Sequence, residues 1–175
     1  MKYIFLIILF FVGCSDKETS KKTDLQQAKY SFKNILGYKD TLCIKSTFQD
    51  CGEWGGHDEL IKMYRSDRKI RLAYVKYKVN CGERYNTGSI IQKRDVTENL
   101  ILSDSQQVDV MNYINTLMKL KFIDQEIGHS GNAFLVEDSK GELRIFHHGD
   151  NIHSLNNYNI LMQKLGFSTV VIKNE

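Results

Sequence analysis

The hydrophobic pattern divides the chain into three regimes. Tyr3 to Val12 is almost wholly apolar, Ser15 to Lys29 is polar without any apolar period, and the remainder alternates between strand-like and helix-like segments. Thr41 to Phe48 places Leu42, Ile44 and Phe48 on one face at a period of two, which predicts a strand. Glu59–Arg65 and Lys69–Val79 are strand-like and flank Ser66-Asp67-Arg68, so they predict a hairpin. Asn80–Gly88 reads as a loop and Ser89–Val96 as a further strand. The period then changes. Ser103, Asp104 or Ser105 can cap a helix that carries Val110, Met111, Ile114, Leu117 and Met118 at helical spacing. Ala133–Val136 and Glu142–Phe146 predict a second hairpin. Ser154 is positioned to cap a second helix bearing Leu155, Tyr158, Leu161, Met162 and Leu165, which Gly166 would end. Ser168–Ile172 suits a last strand, and Tyr30–Leu36 fits either a short strand or a helical turn.

Strands joined by hairpins make an antiparallel sheet, and amphipathic helices must bury their apolar stripes. The expected fold is therefore α+β: a single two-layer domain over residues 30–175, with two helices packed on one face of the sheet. No βαβ unit with a Gly-rich phosphate turn is visible, which argues against dinucleotide binding. Formal net charge is only +3, and Lys and Arg are interspersed with Asp and Glu, so no nucleic-acid partner is expected. Proline is absent, leaving Gly, Asn and Asp to make the turns.

The first residues change the picture further. A basic start, an apolar run too short to span a bilayer, and Phe11-Val12-Gly13-Cys14 resemble the signal peptide and lipobox of bacterial lipoproteins, with Phe11 in place of the usual Leu. The resemblance implies a signal peptide over residues 1–13, acylation of Cys14, and a flexible tether over residues 14–29. Ser15 follows the cysteine where an inner-membrane retention signal would have Asp, and Ser15-Asp16-Lys17-Glu18 is similar to the acidic export tag of Bacteroidetes-type lipoproteins. It implies a lipid-anchored envelope protein, in the outer membrane.

Export permits disulfides, and Cys43, Cys51 and Cys81 remain to form them. Cys43 and Cys51 lie eight residues apart, roughly 26 Å along a strand, whereas a disulfide needs Cα atoms about 6 Å apart. A hairpin turning at Asp67-Arg68 sets Met63 opposite Leu72 and Ile61 opposite Tyr74, and extension of that register puts Cys81 opposite Trp54. The Gly-rich segment Cys51–His57 can absorb the remaining offset, so Cys51–Cys81 is the favoured bond. Cys43–Cys81 and no bond at all are the alternatives. In the favoured case Cys43 is left as a buried free thiol.

Asp50–Glu59, which holds the only Trp, concentrates the candidate chemistry. Trp54, His57, Glu53 and Glu59 form a possible binding surface, with His57 itself read as a solvated loop residue. The same residues with Cys51, Cys81 and Glu83 are the nearest approach to a metal site, but the paired short spacings of structural zinc sites are missing. The His147-His148 pair reads as exposed, and Ser130 lacks the Gly-x-Ser-x-Gly setting of an active serine. The Cys-Gly-Glu-Trp-Gly-Gly-His run is similar to small uncharacterised Bacteroidetes-type lipoproteins, a resemblance that implies no activity. The sequence thus leads to no catalytic residue and no cofactor beyond the lipid at Cys14. Its expected partners are the membrane and an envelope protein or ligand. A non-catalytic binding or structural module is favoured. The alternative is a metal- or cysteine-dependent envelope enzyme centred on Cys51 and His57.

Overall fold

A computed structural model describes Phe32 and residues 36–123, 131–149 and 152–171, without the side chain of Trp54. Cys14, the 14–29 tether, His129 and Ser130 lie outside these residues. The architecture is α+β, with one antiparallel sheet of six strands and two helices. The strands are β1 (Thr41–Thr47), β2 (Asp58–Ser66), β3 (Lys69–Arg84), β4 (Ile90–Ile101), β5 (Asn132–Asp138) and β6 (Arg144–Gly149); α1 is Asp104–Ile123 and α2 is Ile152–Leu165. The spatial order is β4-β3-β2-β1-β5-β6, so β1 sits inside the sheet with β2 and β5 on either side.

The period-two pattern does what elementary strand geometry demands. Leu42 and Ile44 of β1 pair with Met63 and Ile61 of β2, which pair in turn with Leu72 and Tyr74 of β3. Across the other flank Ile44 pairs with Val136. All these residues are buried and share one face. Fully burying an aliphatic side chain contributes roughly 1.5–3 kcal/mol, so this row is a substantial part of the core's stabilisation. The helices supply the second half of the core. Tyr158 of α2 lies 5.4 Å from Phe48 and 5.9 Å from Phe134 by ring centroids, and Tyr113 of α1 meets Tyr158 edge-on at 6.2 Å.

Both helix ends follow from local sequence. Ser103 caps α1: its Oγ accepts from Gln106 N–H at 3.2 Å, while Gln106 Oε1 accepts from Ser103 N–H at 3.0 Å, a reciprocal capping box. Gly166 ends α2 at φ +86°, and Phe167 N–H reaches back to Met162 O at 2.8 Å.

Several expectations are corrected. β3 runs through Asn80 to Arg84, where a loop was expected, because its polar residues form a two-stranded ribbon with β4 beyond the last β2–β3 pair, Glu59–Lys76. α2 begins at Ile152, so Ser154 is buried inside the helix and does not cap it. Residues 167–171 form no strand; the Asn159 side chain pins them instead, exchanging two hydrogen bonds of 2.8 and 2.9 Å with the Val170 backbone. Tyr30–Leu36, read as a short strand or a helical turn, lies outside the described residues except for Phe32 and Leu36, where Leu36 N–H donates to Phe32 O at 2.7 Å. Met118 is exposed on α1 and Tyr113 takes the buried place, in step with Val110, Ile114 and Leu117.

Candidate functional site

The Gly-rich stretch between β1 and β2 folds into a compact loop. Phe48 N–H donates to His57 O at 2.9 Å, closing its ends, and Cys51 N–H donates to Gly55 O at 2.9 Å inside it. One turn of 3₁₀ helix, Gly52–Trp54, forms the tip. Gly56 is obligatory: a Cβ there would lie 2.0 Å from Phe48 O.

Cys51 and Cys81 are bonded, with Cα atoms 5.4 Å apart. The register arithmetic held for the hairpin, where Met63 faces Leu72 and Ile61 faces Tyr74. The remaining offset is absorbed on both sides. Between the pairs Val79–Gln92 and Arg84–Ile90, β3 bulges outward over Asn80–Glu83, which carries Cys81 toward the loop. Gln92 of β4 completes the clamp: its Nε2 donates to Gly56 O at 3.2 Å, and its Oε1 accepts from Asp58 N–H at 2.9 Å. Cys43 is the free thiol, but it is half-buried on the opposite face of the sheet, and that burial pushes its pKa up.

Beneath the loop lies a charged network. His57 is buried against the ring of Phe48, at a centroid distance of 4.9 Å. Its Nδ1 and its backbone N–H both meet Asp50 Oδ2, the latter at 2.9 Å. Its Nε2 lies 3.2 Å from Glu59 Oε1. Glu59 is 0% exposed and is the hub: Lys76 Nζ lies 3.1 Å from Oε1, and Tyr158 donates its hydroxyl to Oε2 at 2.7 Å. The Glu59 charge also reaches Tyr74, whose phenol is held far above the usual range by burial and this carboxylate together.

The electrostatics follow from these partners. Burial by itself pulls the His57 pKa down, but the hydrogen bonds and charges of Asp50 and Glu59 outweigh it and raise the value from 6.5 to about 9. Burial pushes Glu59 up, yet His57, Tyr158 and Lys76 together bring it below its ordinary value; Asp50 is lowered against burial by His57 in the same way. Tyr158 is held far above the usual phenol range by burial and by the adjacent carboxylate. At neutral pH two anions and two cations therefore offset one another inside the fold.

This arrangement restricts the available chemistry. Both ring nitrogens of His57 face carboxylates, and the charged imidazole offers no lone pair to accept a proton from a substrate. Cys51 is committed to a disulfide and supplies no thiolate. His57 and Glu59 were expected on a binding surface, and His57 in solvent; both are interior, drawn in by mutual charge pairing. Glu53 is exposed. Glu83 does not join the network but bonds Lys93 and Asn80. His147, expected to be exposed, is buried, while His148 points to the other face and stacks on Phe146 at 6.3 Å. Among the described residues no three His, Cys, Asp or Glu side chains converge to hold a metal ion.

No family model, curated protein or solved structure matches the chain. The site must therefore be judged on its own residues. Sequence reasoning missed Asp50, Lys76, Gln92 and Tyr158. Two signals pointed to them. Glu59 is in phase with Ile61 and Met63, so it had to face inward, and a buried Tyr158 hydroxyl needs a partner. Apart from the loop, a groove of about 640 Å³ separates the outer edges of α1 and α2, with Asp109, His153 and Lys164 among its polar walls.

Proposed function

We propose that the protein is an envelope lipoprotein, anchored through acylated Cys14 in the outer membrane, whose α+β domain serves as a non-catalytic binding or structural module. The observation that carries the second half of this reading is the state of its two most reactive candidates: Cys51 is bonded to Cys81, and His57 is clamped between Asp50 and Glu59. A cysteine- or histidine-dependent enzyme would need at least one of them free. The clamped loop and the β3–β4 ribbon present a fixed surface, and a fixed surface binds with less loss of conformational entropy than a mobile one.

Two measurements test the proposal. Cys14→Ala should move the protein from the membrane to the soluble fraction, and a variant that stays with membranes would reject the anchor. Alkylation of the native protein should modify Cys43 and leave Cys51 and Cys81 untouched until reductant is added. Stoichiometric modification of Cys51 without reductant would favour a cysteine-dependent enzyme instead.

A further inference from the structure

The opposite end of the sheet carries a surface of another kind. β2 and β3 are joined by Asp67-Arg68, with φ values of 52° and 60°. That is the two-residue hairpin geometry for which Asn-Gly is the usual choice. An arginine there occupies backbone that L side chains adopt reluctantly, and it stands at the tip. Arg65 is paired with buried Ile70 and so leans to the helix side; Lys69 and Arg71 follow the other face. The cations therefore fan around the tip. Tyr38, 90% exposed, and exposed Lys39 belong to the same end, just ahead of Thr41, which pairs with Tyr64.

The neighbouring acids do not cancel this charge. Asp67 is tied to Arg71 at 3.1 Å and Asp40 to Lys140 at 2.9 Å. Asp138 ends β5, beside the start of β1 and Lys39, and Glu142 follows in the β5–β6 turn, but from Arg65, Arg68 and Lys69 both are at least two strand spacings away in the sheet order, about 10 Å. This exceeds the Debye length of about 8 Å at physiological salt. Asp104 begins α1, where the helix dipole partly offsets it.

We infer that this end of the sheet, Tyr38 and Lys39 with Arg65, Arg68 and Lys69, lies against an anionic phospholipid surface. Cations at the headgroups and an aromatic ring at the interface are the chemistry such a surface selects. Chain direction supports the choice. Residues 36–40 run into β1 from this side, so the described chain enters the sheet here. From Cys14 to Phe32 is eighteen residues, which as a coil spans only about 23 Å. The sixteen residues of β3 extend about 50 Å, so a lipid at Cys14 would hold this end toward the bilayer and the disulfide loop away from it. The inference rests on the lipoprotein reading for its setting.

The test uses the full chain carrying Cys14→Ala, so that acylation does not enter. Its partitioning onto vesicles containing phosphatidylglycerol is compared with partitioning onto neutral phosphatidylcholine vesicles, because the Tyr3–Val12 run contributes to both. The ratio should exceed about tenfold at low salt and fall toward one in high salt. Changing Arg65, Arg68 and Lys69 together to Ser should remove most of it, since each basic residue at such a surface is worth roughly fivefold. Changing Lys78 and Arg94, on the distant ribbon, to Ser should leave it intact. A ratio near one for the parent, or one unaltered by the triple change while the variant still unfolds cooperatively, would overturn the inference. Membrane release of Cys14→Ala in cells is read separately, so failure of the anchor and failure of this surface are distinguishable.

Discussion

Glu59 is where a single residue decides most. Its carboxylate collects His57, Lys76, Tyr74 and Tyr158, and no solvent reaches it. Replacing a buried ion pair entirely by apolar groups can be neutral, but removal of one partner strands the others. Glu59→Ala should therefore destabilise the fold by about 3–5 kcal/mol, read from urea denaturation at pH 6. The same contacts set a pH profile. His57 is raised, so its contribution is complete below about 6.5 and is lost as pH climbs through about 9. Glu59 and Asp50 are lowered, so theirs is present above their ordinary values of 4.5 and 3.8 and is lost in acid below them. Stability should be greatest between about pH 4.5 and 6.5 and decline into the alkaline range. Glu59→Gln should move the alkaline decline to lower pH, and an unmoved limb would mean that His57 is not held by this carboxylate.

At the scale of elements, the β3–β4 ribbon is the part most in need of support. Two strands alone are marginal in water, and beyond Lys76 the ribbon has no third strand beside it. The loop substitutes for one through the disulfide and the two bonds of Gln92. The disulfide closes a sequence separation of 30, which in the chain-entropy account contributes about 3–4 kcal/mol. Reduction, or Cys81→Ser, should lower the unfolding free energy by that order. Amide exchange should then rise first in residues 78–93, and a uniform rise over the whole sheet would show that the clamp is not local.

For the molecule as a whole, legibility in the sequence followed the strength of the local signal. The β2–β3 register was readable because a two-residue turn and alternating apolar residues each specify it, and the disulfide followed from that register. The two helices were readable from their stripes. What could not be read was polar. His57 looks like a loop residue by type, and although Glu59 is in phase with the buried residues of β2, only the partners that meet it, Lys76 from a neighbouring strand and Tyr158 from ninety-nine residues away, make its burial favourable. The long ribbon was hidden for the related reason that exposed strands lack an apolar phase.

The interior position of β1 has a mechanical consequence. Suppose the chain ahead of Thr41 is pulled while β2 and β5 are held. Once Phe32 and Leu36 are drawn out, the load runs lengthwise along β1, between seven residue pairs with β2 and six with β5. Ladder hydrogen bonds lie across that direction, so both ladders are sheared together and no single bond is peeled in turn. A domain hung by its first strand in this way resists stretching with its whole central sheet.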